Sequence, residues 1–239
     1  MQKVKIFSGL ASSATLLTLA LFPLGALAAG PGTASDNLTT ITGGYAADET
    51  SNGQAQSNAQ FEVTPGALTL NAVPNILLNN TGVENIASQD TSLTAATGNT
   101  SGGSGYDGNG TGSLSVSDYR GNHAGWSLTV GLGNFTAADS STVTSAVLNL
   151  NATKGTVDNT ATSNPTSVKL SQSTVAPGAW VTSPQTIWDA SAASGEGQNT
   201  ATTTGSSLDV SKQPTISSGT YTATLYWALQ NAPAATPAS

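Results

Sequence analysis

Along much of this chain apolar residues recur at every second position in short runs, and clusters of Gly, Pro, Asn and Ser separate the runs. A period of two belongs to a strand, whose successive side chains point to opposite faces. Two runs carry it best. In Gly125-Trp126-Ser127-Leu128-Thr129-Val130, the residues Trp126, Leu128 and Val130 form one apolar row, with small polar residues opposite. In the stretch from Tyr221 to Leu229, Tyr221, Ala223, Leu225, Trp227 and Leu229 form a second row, and Tyr226 interrupts its otherwise small opposite face. Residues 67–70, 75–78, 112–118, 143–151 and 167–172 also read as strands, with 39–42 and 179–182 as weaker ones. Pro74 pushes its neighbourhood towards an edge or a turn. Two segments read as polar loops. One is 190–205. The other is 92–112, where Gly102-Gly103-Ser104-Gly105 and its neighbours hold too little apolar surface to offset the entropy of ordering. No helical period longer than two turns follows the N-terminal stretch. The pattern predicts an all-β chain, a single antiparallel β-sandwich or barrel-like domain with long polar loops.

The N-terminus changes the picture. Met1-Gln2-Lys3-Val4-Lys5 is followed by an apolar stretch centred on residues 14–22, then by Pro23, Gly25 and Ala26-Leu27-Ala28. A charged start, a short apolar core and an A-x-A site make a secretory signal peptide, and cleavage after Ala28 is expected. The apolar core is too short and too broken to span a bilayer, so no membrane insertion is expected of the remainder. The resulting organisation is a signal peptide at 1–28, a small polar segment at 29–60, a β domain at 61–233 containing the flexible 92–112 loop, and a tail at 234–239. The chain is expected outside the cytoplasm.

Charge and cysteine content narrow the function classes. Six basic residues stand against 13 acidic ones, for a formal net charge of −7. Two of the basic residues, Lys3 and Lys5, lie in the leader, which leaves Arg120, Lys154, Lys169 and Lys212. Such a chain lacks the basic footprint of a nucleic-acid binder. It does not adhere to anionic polymers by bulk charge either. Cysteine is absent, which excludes disulfides, thiolate metal sites and thiol catalysis. His123 is the single histidine, so no His-pair metal site and no second histidine base exist. It sits in Gly121-Asn122-His123-Ala124-Gly125, which reads as a turn with a solvated histidine. Asp107-Gly108-Asn109 lacks the later acidic ligands of a calcium loop. No catalytic residue, metal ligand or cofactor site is assigned, and the chain reads as non-enzymatic.

Two further features bear on recognition. Asp118 and Arg120 are two apart, the spacing of one strand face, and read as a structural ion pair or a surface pair. Trp180 and Trp188 lie outside the two apolar rows. Packed in the core they are structural; exposed, they face a glycan or a partner, because an aromatic face matches the C–H face of a sugar ring.

The two rows, each with a Trp-x-Leu core, resemble the paired motifs of the WxL domain of Gram-positive bacterial surface proteins. The flanks extend the resemblance: Leu114 to Gly121 before the first motif, Phe61 to Leu70 followed by Val73-Pro74 as the opening strand, and Leu208-Asp209-Val210 with Gly219-Thr220-Tyr221 before the second motif. It covers roughly residues 40–233, and two motifs with these flanks are far more specific than a lone tripeptide. The resemblance implies non-covalent attachment to the cell wall, with peptidoglycan as ligand and membrane-anchored WxL-interacting surface proteins as partners. It makes Trp126, Leu128, Tyr221, Leu225, Trp227 and Leu229 the motif residues, either structural or wall- and partner-binding. The alternative it leaves is a structural or adhesive subunit of a surface complex, held at the wall indirectly by a partner protein.

Overall fold

Alternation along the chain becomes strands wherever one face finds a core. The computed structural model describes residues 40–41, 44–45, 47, 49, 52–53, 57–101 and 105–233. The leader and the tail at 234–239 lie outside them. The chain divides into two units, Met1–Val63 and Thr64–Ser239. In the first, β1 (Thr40–Ile41) pairs antiparallel with β2 (Gly44–Tyr45), where the weaker run at 39–42 was expected.

The second unit begins with β3 (Leu68–Ala72), a short helix α1 (Val83–Ser88) and β4 (Thr91–Thr94). It continues with β5 (Ser113–Asp118), β6 (Trp126–Gly133), β7 (Ala146–Leu150), β8 (Thr153–Val157) and β9 (Val168–Ser173). It ends with β10 (Gln185–Ala190), β11 (Gly197–Thr202), β12 (Ser207–Val210) and β13 (Leu225–Gln230). Two sheets result. One has seven strands, ordered β10-β6-β9-β7-β12-β4, with β13 also on β6; the other has four, ordered β3-β5-β11-β8. Leu114, Val116 and Ala201 of the smaller sheet and Leu128, Leu148, Leu150, Leu170 and Leu208 of the larger share one buried core. This is a β-sandwich with open sheets, which removes the barrel-like alternative. The sheets are antiparallel except where β6 meets β9 in parallel at Leu132↔Gln172 and Gly133↔Ser173.

Several expectations need correction. The opening strand starts at Leu68 rather than near Phe61. Phe61 and Val63 are 86% and 80% exposed, so their alternation meets no core, and Pro65 and Gly66 interrupt the run. Residues 75–78 form only the isolated bridge Leu78↔Ala95, next to Pro74↔Asn109. The stretch 92–112 is not one loop. It opens as β4, paired with β12, and near its end the Asn109 carboxamide donates to Val73 and Ser113 carbonyls and accepts from the Ser113 amide. The stretch 190–205 contains β11, an interior strand between β5 and β8. Its sequence, Gly-Gln-Asn-Thr-Ala-Thr, shows no apolar row. The buried Asn199 works there because its Nδ2 donates to the Gly195 carbonyl at 2.8 Å. Residues 179–182 are a loop, not a strand, although Val181 is buried.

Candidate functional site

The two apolar rows lie side by side. β13 pairs antiparallel with β6 in the register Leu128↔Leu229, Val130↔Trp227 and Leu132↔Leu225. Cross-strand partners share a face, so the two Trp-x-Leu motifs form one apolar layer over the core. Their burial differs. Trp126, Leu128 and Val130 are fully buried, whereas Tyr221, Leu225, Trp227 and Leu229 are partly buried against the same core. Trp126 Nε1 donates to the Gly195 carbonyl at 3.0 Å, and its ring meets Trp188 edge to face at 5.3 Å and 77°. Trp188 is itself only 1% exposed and donates from Nε1 to the Ser163 carbonyl at 3.0 Å. The structure therefore removes Trp188 from the exposed aromatics: the pairing of β10 with β6 shifts register between Thr186 and Trp188, and Ile187 and Trp188 are both buried in the core. Gly195 is required where it stands. Its φ is +82°, and a Cβ there would lie 2.4 Å from Trp126 Nε1.

Asp118 and Arg120 close the base of this layer. Arg120 Nε and Nη2 donate to the two Asp118 carboxylate oxygens at 2.9 and 2.7 Å. Nη2 also donates to the Gly125 carbonyl at 2.7 Å, and Nη1 to the Asn231 carbonyl at 3.1 Å. One guanidinium thus ties the end of β5 to the residue before β6 and the residue after β13. The guanidinium holds the Asp118 carboxyl below its ordinary value, against the opposing effect of burial. The pairing was legible from the spacing; the two carbonyl partners, distant in sequence, were not.

The opposite face of β6 and β13 carries the exposed aromatic. At Gly131 a Cβ would lie 2.4 Å from Val181, so the missing side chain makes room for the 174–184 loop to sit on the strand. Trp180, next in that loop, is 53% exposed and meets Tyr226 edge to face at 5.2 Å. Tyr226 lies over Gly133, and Gly133 is the parallel partner of Ser173 on β9. A groove of about 400 Å³ opens along β7 and β9, lined by Asn134, Thr144, Ser145, Ser171 and Ser173 among others, with no charged side chain in its walls. An exposed aromatic ring and a groove of hydroxyl and amide groups are features suited to a neutral sugar. No sequence signal marked the groove, because its walls come from separate strands.

His123 is exposed, with φ +56°, and is not an isolated turn residue: its Nδ1 lies 2.9 Å from Glu196 Oε1. That bond lowers the Glu196 carboxyl from its ordinary value. Among the described residues no group of three or more His, Cys, Asp or Glu is placed to hold a metal ion, and no helix is long and apolar enough to cross a membrane. In comparison with known proteins, residues 47–233 fit the family model described as WxL domain, surface cell wall-binding. No curated protein and no solved structure matches the chain.

Proposed function

The chain belongs to the WxL family of surface cell wall-binding domains, and from that membership we propose that it is secreted and attaches non-covalently to peptidoglycan through its own outer sheet face. The observation that carries this reading is Trp180, more than half exposed and set against Tyr226 of β13, in the sheet whose strands β7 and β9 line an uncharged polar groove. A sugar ring stacks on the indole, and the Asn, Ser and Thr side chains of the groove bond the hydroxyls of neighbouring units. The recognition is neutral, as it must be for a chain of net charge −7 on an anionic wall. The motif tryptophans support this surface from beneath and do not touch the ligand. The domain is a binding module: the one histidine is engaged with Glu196 on an exposed turn, far in sequence from the groove residues on β7 and β9. The test is sedimentation of the purified protein with protein-free peptidoglycan across a salt series. Binding is expected to saturate and to survive added salt. Trp180→Ala is expected to weaken it at least about fivefold, the loss of about 1 kcal/mol of aromatic contact. Unchanged binding by the variant would remove the site, and absence of binding by the parent would remove direct attachment.

A further inference from the structure

β13 has one hydrogen-bonded neighbour among the described strands, β6, and no described strand pairs with its other edge. Three other outer strands are managed. The outer side of β4 is met by the chain at 77–79, through Asn79 N to Thr94 O and Ala96 N to Leu77 O. β10 accepts from the Thr166 amide at Ile187 O, and β8 carries Lys154. β13, Leu-Tyr-Trp-Ala-Leu-Gln, has no charge, no proline and no glycine to discourage pairing.

The register fixes what the open edge offers. Gly133 N donates to Thr224 O, so alternation turns the backbone groups of Tyr226, Ala228 and Gln230 towards β6. Leu225, Trp227 and Leu229 then direct their N–H and C=O groups to the free edge. Beside this edge lies a slot of about 560 Å³. One wall is the approach to β13, with Tyr221, Ala223, Leu225 and Trp227; the facing wall is the chain at 73–78, which continues from β3, an outer strand of the smaller sheet. Tyr106 stands in its lining and is 45% exposed. No charged side chain lines the slot, and Asn75 Nδ2, buried in that lining, makes no hydrogen bond.

We infer that β13 and this slot receive an extended, uncharged polypeptide segment of another protein as an added strand. Donors and acceptors repeat at every second residue, the spacing of a peptide backbone, so the occupant is a strand and not a glycan. Its alternate apolar side chains enter the slot against Trp227 and Tyr221. The slot is walled on its far side by residues 73–78, so it admits a single strand and not the edge of a second sandwich. The uncharged lining selects an uncharged segment. This surface is separate from the outer face that carries Trp180, and the inference stands apart from direct wall binding.

The test is amide NMR of the whole protein with a blocked heptapeptide alternating threonine and valine, and a control in which the central valine is proline. Saturable shifts and about tenfold slower hydrogen exchange are expected at Leu225, Trp227 and Leu229, with Tyr226 and Ala228 unchanged and the proline peptide inert. Ala223→Glu, which fills the slot, abolishes the effect; Ala228→Glu, on the other face, preserves it. Should Ala223→Glu fail to fold, Tyr106→Glu at the exposed wall is the second blocking variant. The inference is overturned by a peptide without effect, by an effect that both blocking variants retain, by those three amides being protected in the free monomer, or by protection that rises with protein concentration, which would make the occupant a second copy. Trp180→Ala leaves peptide binding intact, so failure of the wall reading is visible on its own.

Discussion

The same tripeptide pattern occupies two unlike positions. On β6, Trp126 and Leu128 sit in an interior strand that is buried on both faces along its whole length. On β13, Trp227 and Leu229 sit on an outer strand, each partly buried, although Leu229 pairs directly with Leu128. A motif therefore does not carry one environment with it. The neighbouring strands do: β10 and β13 flank β6, whereas among the described strands only β6 flanks β13. The first motif is spent on stability. The second divides its surface between the core and an open slot.

Substitutions at the two tryptophans test this contrast. Trp126→Ala empties the centre of the core, removes one of the two donors to the Gly195 carbonyl and uncovers the edge of Trp188; an expected loss of about 4 kcal/mol, read by denaturant titration, leaves little folded protein. Arg120→Ala comes next. It abandons a buried carboxylate and two backbone carbonyls at once, for a loss of about 3 kcal/mol. Trp227→Ala, at a half-buried site, should cost about 2 kcal/mol. Equal losses at Trp126 and Trp227 would end the distinction between the motifs. Trp180→Ala is expected to change stability by less than about 1 kcal/mol while impairing wall binding.

The Arg120 prediction carries a pH signature. The Asp118 carboxyl is held below its ordinary value when folded. The pair's contribution is therefore complete above the unfolded value and is lost as pH falls through the lowered folded one. The stability gap between the parent and Arg120→Ala should be constant above about pH 5 and should narrow below about pH 4. A gap that ignored acid would show the carboxylate to be irrelevant and the two carbonyl contacts to be the whole effect.

Strands with an apolar row were legible before the structure: β6, β7 and β9 fall where alternation placed them, and β13 takes up the second half of the Tyr221–Leu229 row, whose first half forms only the isolated bridge Thr136↔Thr222. β11 was not, because Asn199 enters the core through an amide nitrogen that donates to a backbone carbonyl and Ala201 through its small volume, and neither belongs to an apolar row. β8, Thr-Lys-Gly-Thr-Val, hid because it carries no apolar row and none of its residues is fully buried. The two remaining tryptophans, eight positions apart, were indistinguishable in sequence. Their fates were set by what reached them: Trp188 by Trp126 and the Ser163 carbonyl, Trp180 by Tyr226 alone among aromatic rings. The pairing of Asp118 with Arg120 was readable because it is local. The slot beside β13 was not, because it lies between segments more than a hundred residues apart in the chain.

The pairing of β6 with β13 also sets an order of events in folding. Thr129 and Ala228, joined by a side-chain hydrogen bond, are 99 residues apart. Closing so long a loop costs entropy before any contact rewards it, and sandwiches built from such pairings fold slowly. Until residues 225–230 arrive, β6 presents its Trp-Ser-Leu-Thr-Val edge with no partner on that side. A nascent chain interrupted before Leu225 is thus a sticky species, open to pairing with its own kind, and completion of the last strand ends that exposure.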